Sequence, residues 1–203
     1  MKLYYAPGAC SLSPHIVARE AGIDLKLDKV DLFGTRKTES GRDFNTVNPK
    51  GYVPALELDD GQVLTEGPVI VQYLADRKPE SGLAPPPGTL ERYRLQEALG
   101  FINSEIHKSY GPLFNPKISP ERRQEQLDTL RKRFSLVDEM LSGKKYLLGE
   151  RFTVADAYLF VMVSWADFVK LDISDFANVF AFQKRVGARP AVQAALRAEG
   201  LAK

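Results

Sequence analysis

The sequence predicts a small α/β domain joined to an all-helical domain, and three observations carry that expectation. Residues 1–78 mix strand and helix signals in the order β-α-β, then β-β-α. Residues 79–89 include Pro85-Pro86-Pro87-Gly88, which cannot continue a helix and stiffens a connection, so this stretch reads as a linker. From residue 90 to residue 203 strand signals vanish and apolar residues recur at helical spacing.

In the first domain, Lys2 to Tyr5 reads as a short strand running into the Pro7-Gly8 turn, and Ser11 to Ala21 as a helix stopped by Gly22. Leu25 to Val30 alternates apolar and polar residues, as a half-buried strand does. The segment Phe33 to Asn48 is polar. Val53 to Leu58 and Gln62 to Leu64 flank Asp59-Asp60-Gly61, a hairpin with an Asp-Gly turn. Glu66-Gly67-Pro68 opens a helix with proline near its first position and Ile70, Tyr73 and Leu74 as its apolar stripe. In the second domain, Leu90 to Tyr110 reads as one helix. Pro120 to Leu141 reads as another, with Leu127, Leu130, Phe134, Val137 and Leu141 in step. Thr153-Val154-Ala155-Asp156 is a capping-box variant opening the apolar helix that includes Trp165. Two more helices fill Asp175 to Glu199, broken near Arg189-Pro190.

Composition narrows the function. The 203 residues are 44% apolar, enough to bury a core, and the formal net charge is only +2, from 28 basic and 26 acidic side chains. That near balance gives no electrostatic footprint for nucleic acid or a membrane surface. No apolar run approaches the roughly 20 residues of a membrane span. A single cysteine excludes an internal disulfide framework, a C-x-x-C pair and a cysteine-based zinc site, and two histidines argue against a multi-histidine metal centre. No signal peptide precedes the first strand, which implies a cytoplasmic location.

The lone thiol is the most informative residue. Cys10 follows a strand and a Pro/Gly turn where a helix opens near Cys10 or Ser11. Unpaired N–H groups and the positive helix end favour thiolate by about 0.3–1 kcal/mol. A pKa of about 8.5 would fall by less than one unit, leaving Cys10 partly ionised at neutral pH. The competing reading is a small buried apolar residue.

Two further motifs carry two readings each. Val53-Pro54 is either an ordinary trans proline on a strand edge or a cis-proline that turns the Val53 N–H and C=O outward to an extended peptide-like ligand. At Thr65-Glu66-Gly67-Pro68, the helix start can hold a carboxylate while Glu66 pairs with an ammonium, as a ligand with an α-amino and an α-carboxylate group needs. Helix charge compensation is the alternative.

In combination these pieces become specific. Met1-Lys2-Leu3-Tyr4-Tyr5 with Pro7-Gly8-Ala9-Cys10-Ser11-Leu12-Ser13-Pro14-His15, then Asn48-Pro49-Lys50-Gly51-Tyr52-Val53-Pro54, Leu64-Thr65-Glu66-Gly67, Ser104-Glu105-Ile106-His107-Lys108 and Phe152-Thr153-Val154-Ala155-Asp156-Ala157-Tyr158-Leu159 occur in register. Over essentially the whole chain this resembles the cytosolic glutathione transferases of the bacterial beta class. The resemblance implies a thioredoxin-like first domain, an all-α second domain, glutathione as co-substrate, a hydrophobic electrophile and a homodimer.

It also implies residue roles. Cys10 lies beside the glutathione sulfur and can form a mixed disulfide with it. Val53, before a cis Pro54, pairs with the cysteinyl backbone of glutathione. Glu66 and Gly67 hold the γ-glutamyl end, where Gly67 keeps the N–H but lacks the hydroxyl of the serine common in relatives. Arg36 or Lys37 binds the glycyl carboxylate. His107 lies near the sulfur, and Asn103, on the same helix face as Gly100 and Ser104, is a further glutathione-binding residue. Ser104 and Glu105 reach glutathione across the dimer interface. Ser11 is part of the beta-class catalytic pattern, and Tyr5 is a secondary candidate for stabilising the thiolate. His15, roughly 140° around the helix from Cys10, reads as structural. Phe114, Trp165 and Phe168 are candidate walls for the electrophile. The reaction implied is attack of the glutathione thiolate on an electrophilic carbon. A thiol–disulfide reductase or reductive dehalogenase acting through Cys10, or a non-catalytic binding protein of the same fold, are the alternatives.

Overall fold

The computed structural model describes residues 1–202 and divides into two compact units. One comprises Met1–Ala84 with the C-terminal segment from Ala188, and the other Pro85–Gly187.

The first unit is built on a four-stranded sheet of order β2-β1-β3-β4, from β1 (Lys2–Tyr5), β2 (Lys26–Lys29), β3 (Ala55–Glu57) and β4 (Val63–Thr65). β1 and β2 run parallel, with Leu3 opposite Leu27, joined through helix α1 (Leu12–Glu20). β3 is antiparallel to both β1 and β4, with Leu3 opposite Leu56 and Leu56 opposite Leu64. Alternation along β1 divides the core. Tyr4 and Ala55 meet Val30, Val47, Val53 and Phe44, the last from the short helix α2 (Phe44–Val47). Leu3 and Leu56 point to the other face and are fully buried. The hairpin places the Val53-Pro54 segment at the start of β3, and helix α3 (Gly67–Asp76) follows β4 directly. α2 lies inside the segment read from sequence only as polar. Asp43 caps it, accepting the Asn45 N–H at 2.9 Å, and Phe44 anchors it with its ring 5.9 Å from that of Tyr4.

The C-terminal segment corrects the domain assignment. Residues 188–203 were expected within the helical domain, but helix α9 (Pro190–Ala198) packs on α1 in the first unit. Val192 and Ala195 are fully buried, and Arg189 grips Glu20 at 2.6 and 2.8 Å. The Glu199 carboxylate ties both ends of the chain: Oε1 lies 2.8 Å from His15 Nδ1, and Oε2 accepts the Gly8 N–H at 3.0 Å. Alternation of polar and apolar residues cannot say which unit an amphipathic helix covers, and the partner of its polar groups decides it. His15 is buried in this contact, as its structural reading requires.

The second unit is helical throughout: α4 (Leu90–Phe101), α5 (Lys108–Tyr110), α6 (Pro120–Leu141), α7 (Val154–Val169) and α8 (Ala177–Gly187). Among the described residues, no helix is long and apolar enough to cross a membrane. α6 begins and ends where its periodicity predicts, with Ser119 accepting the Arg122 N–H. α7 opens on the expected cap, since Thr153 N–H and Oγ1 both donate to Asp156 Oδ2 at 2.8 Å. The helix expected to run unbroken from Leu90 to Tyr110 is instead interrupted. Between α4 and α5, Ile102–His107 forms a π-helical turn.

Candidate active site

The strand β1 delivers its chain into a tight turn, Ala6 to Cys10, closed by an Ala9 N–H to Ala6 C=O bond of 3.1 Å. Gly8 has φ +70°, where a Cβ is disfavoured. Ser11 staples the turn, its Oγ accepting the Ala6 N–H and donating to the Ala6 carbonyl, both at 3.2 Å. The Ser11 hydroxyl is thus committed to the backbone. α1 starts one residue later than the expected range, and Pro14 falls in its first turn, where no N–H is needed.

Cys10 Sγ donates to the Val53 carbonyl at 3.2 Å. A protonated thiol suits this geometry, and burial works against the expected partial ionisation. Burial pushes the Cys10 thiol up to about 12. The Cys10 and Ser11 N–H groups pull the other way, and the Glu66 carboxylate adds a smaller push upward. The residue is only partly exposed, and packing around the sulfur outweighs the helix end. Tyr5, on the strand leading in, is buried with its phenol pushed up by burial, then by Glu199 and Glu39.

The Val53-Pro54 bond is cis. The segment before it is held from two sides, by Asn48 Nδ2 donating to the Tyr52 carbonyl at 2.7 Å and Arg36 Nη1 donating to the Gly51 carbonyl at 3.1 Å. Arg36 itself has φ +59°. Lys37 is exposed and bridges Asp43 through its backbone.

Glu66 caps the ten-residue helix α3 with φ +70°, a conformation that costs a non-glycine residue about 1–3 kcal/mol and gathers at functional positions. Lys170, at φ +59°, has an ordinary reason, since it ends α7 in the left-handed cap. Glu66 begins a helix, where no such reason holds. Its carboxylate takes the Lys50 ammonium at 2.7 Å, and the same ammonium donates to Thr65 Oγ1 at 3.1 Å. Gly67 lies beside the proline, since a Cβ there would sit 3.9 Å from Pro54 Cγ, an ordinary contact. Cys10, Val53, Pro54, Glu66 and Gly67 are therefore gathered around the junctions of β1, β3 and α3.

In the helical unit, the π-helical turn carries Asn103, Ser104, Glu105 and His107. A wide turn of this kind often marks a functional site. The Tyr158 hydroxyl lies 2.5 Å from His107 Nδ1 and 3.0 Å from Asn103 Oδ1. Ser104 Oγ donates to the Gly100 carbonyl at 2.9 Å, and Glu105 pairs with Arg133 Nε at 2.9 Å. Trp165 stands edge-on to His107, Tyr110 and Phe114, with centroids 5.1, 5.4 and 5.2 Å apart. Phe168 tilts against Phe114 at 5.8 Å and is 76% exposed. Among the described residues, no group of three or more His, Cys, Asp and Glu side chains is placed to hold a metal ion.

Two residues of these clusters escaped the sequence reading. Lys50 lies in the quoted run Asn48-Pro49-Lys50-Gly51, but only the fold brings its amine to Glu66. Tyr158 follows Asp156-Ala157 in an apolar helix, where a tyrosine looks like core and nothing local marks its hydroxyl.

Comparisons with known proteins bear on both units. The family description "Glutathione S-transferase, N-terminal domain" matches residues 8–77, and "Glutathione S-transferase, C-terminal domain" matches residues 101–190. The chain is 47% identical over 201 residues to glutathione S-transferase GstA of Escherichia coli O157:H7, covering 99% of this chain and 100% of that protein. It is 49% identical to a sphingomonad glutathione S-transferase solved in complex with glutathione, with a TM-score of 0.96 and all of both chains covered. It is 50% identical to the bacterial beta-class enzyme of Sphingomonas chungbukensis, with a TM-score of 0.95 over 99% of this chain and 100% of that one. The chain therefore belongs to the glutathione S-transferase family, alongside its bacterial beta-class members.

Proposed function

We propose that this enzyme binds glutathione and joins its sulfur to electrophilic small molecules. The observation that carries the reading is the Glu66 carboxylate, held at φ +70° at the head of α3 and already paired with an ammonium. The α-ammonium of a γ-glutamyl group would take the place of Lys50 Nζ, and its α-carboxylate would meet the N–H groups of Gly67 and the first turn of α3. Val53 would pair its backbone with the cysteinyl part. Arg36, already directed to the Gly51 carbonyl, is the better placed of the two basic candidates for the glycyl carboxylate.

The state of Cys10 favours conjugation over covalent redox chemistry. A ligand N–H that takes the Val53 carbonyl frees the Cys10 S–H, which can then donate to the glutathione sulfur. In that role a neutral thiol stabilises the thiolate without competing as a nucleophile. The glutathione thiol gives up its proton to the His107 imidazole, its sulfur pair forms the bond to the electrophilic carbon, and the leaving group departs with its own pair. Positioning of the two reactants and thiolate stabilisation supply the rate. His107 serves the same sulfur, and Phe114, Trp165 and Phe168 offer aromatic surface to the electrophile. The same reading makes the enzyme a cytoplasmic homodimer, with Ser104 and Glu105 serving glutathione bound by the partner. Residues 1–78, 79–89 and 90–187 act as glutathione-binding domain, linker and helical domain.

Conjugation of glutathione to chlorodinitrobenzene by wild type and Cys10→Ala tests the proposal. Wild type is expected to turn over. Cys10→Ala should keep activity within about a hundredfold, about 2.7 kcal/mol, while losing any mixed disulfide with glutathione. A wild type inert toward chlorodinitrobenzene but active on glutathione-dependent disulfide reduction would favour the redox alternative.

A further inference from the structure

Tyr158 is buried on α7, and the chemistry proposed above makes no use of it. Its hydroxyl faces two partners from the π-helical turn, Asn103 Oδ1 at 3.0 Å and His107 Nδ1 at 2.5 Å. A phenol has one proton to give. The Asn103 carbonyl oxygen can only accept, so the proton goes there. The Tyr158 oxygen then meets Nδ1 as an acceptor, and Nδ1 must bring the hydrogen. A neutral imidazole carries one N–H, so Nε2 keeps its lone pair.

We infer that Tyr158, oriented by Asn103, is a positioning residue that holds His107 in the Nδ1–H tautomer and leaves Nε2 as the basic nitrogen. The ring plane is set by the same neighbourhood. Tyr158 and Trp165 stand edge-on to the imidazole at 5.8 Å and 5.1 Å. The π-helical turn matters here because it carries Asn103 and His107, four residues apart, to one hydroxyl on another helix. The consequence for turnover rests on the reading that His107 serves the glutathione sulfur. The S–H bond then breaks heterolytically, the proton passes to Nε2, the electron pair stays on sulfur, and Nδ1–H keeps its bond to Tyr158 throughout.

The chain has two histidines, so histidine labelled with nitrogen-15 gives two ring spin systems, which His107→Gln assigns. At a pH where the rings are neutral, the ligand-free wild type should show a protonated Nδ1 and an unprotonated Nε2 at His107. Tyr158→Phe keeps the ring in the core and should move the population toward Nε2–H. Asn103→Ala, at an exposed position, should do the same by releasing the Tyr158 proton toward Nδ1. Either variant should lower kcat for conjugation by about tenfold or more, since general-base catalysis is at stake, and in Tyr158→Phe the glutathione KM should be far less affected. An Nε2–H tautomer in wild type, or an unchanged pattern in both variants, overturns the inference. The Nδ1–H tautomer in a wild type that performs no conjugation would uphold the assignment and overturn the proposed function instead.

Discussion

At the scale of single residues, the decisive quantity is where protons sit. A helix start and a lone cysteine, read from sequence, point to a thiolate. The structure surrounds the sulfur closely enough that burial outweighs the helix end, and Cys10 donates to the Val53 carbonyl as a thiol. The sign is testable. Only thiolate reacts with iodoacetamide, so the ligand-free protein should alkylate slowly at about pH 7.5 and its rate should still climb steeply above about pH 9, where an ordinary thiol of pKa about 8.5 levels off. A plateau reached below about pH 9 would show that the helix end wins after all. Cys10, Val53, Glu66 and Gly67 were legible as candidates because each sits at a junction of elements, marked by proline, glycine or a change of period. The charge state of Cys10 was not, because burial is set by side chains distant in sequence.

At the scale of elements, helix starts were more legible than helix interiors. Pro68 and Pro120 mark the first turns of α3 and α6, and Thr153 with Asp156 marks α7, because backbone groups at a helix start need caps that only a few residue types supply. The π-helical turn at Ile102–His107 left no comparable mark. Its apolar residues Ile102 and Ile106 keep a spacing of four, which suits an α-helix as well. Gly100, one turn before, is the local oddity. A Cβ there would meet nothing within 4 Å, and its φ lies in the ordinary helical range. Gly100→Ala should therefore raise stability by about 0.5–1 kcal/mol, the usual helix gain, read as a higher urea midpoint at unchanged slope. A loss of stability would mean that the wide turn depends on the glycine.

At the scale of the molecule, the β-α-β, β-β-α order and the helical remainder were readable because strand and helix periods differ and the proline run separates them. The destination of residues 188–202 was not readable. Arg189–Glu20 and Glu199–His15 join residues 169 and 184 positions apart, and no local pattern announces such pairs. The same holds for Lys50 on Glu66, which only the hairpin between them brings together. That last pair bears directly on the central claim, that the head of α3 is built to receive the ammonium and carboxylate of a γ-glutamyl group. Calorimetric titration of wild type and Glu66→Gln with glutathione tests it. Wild type should bind glutathione, and Glu66→Gln, which keeps size and removes the charge, should bind at least about tenfold more weakly, about 1.4 kcal/mol. Equal affinity in the two proteins, or no binding by wild type, would contradict it.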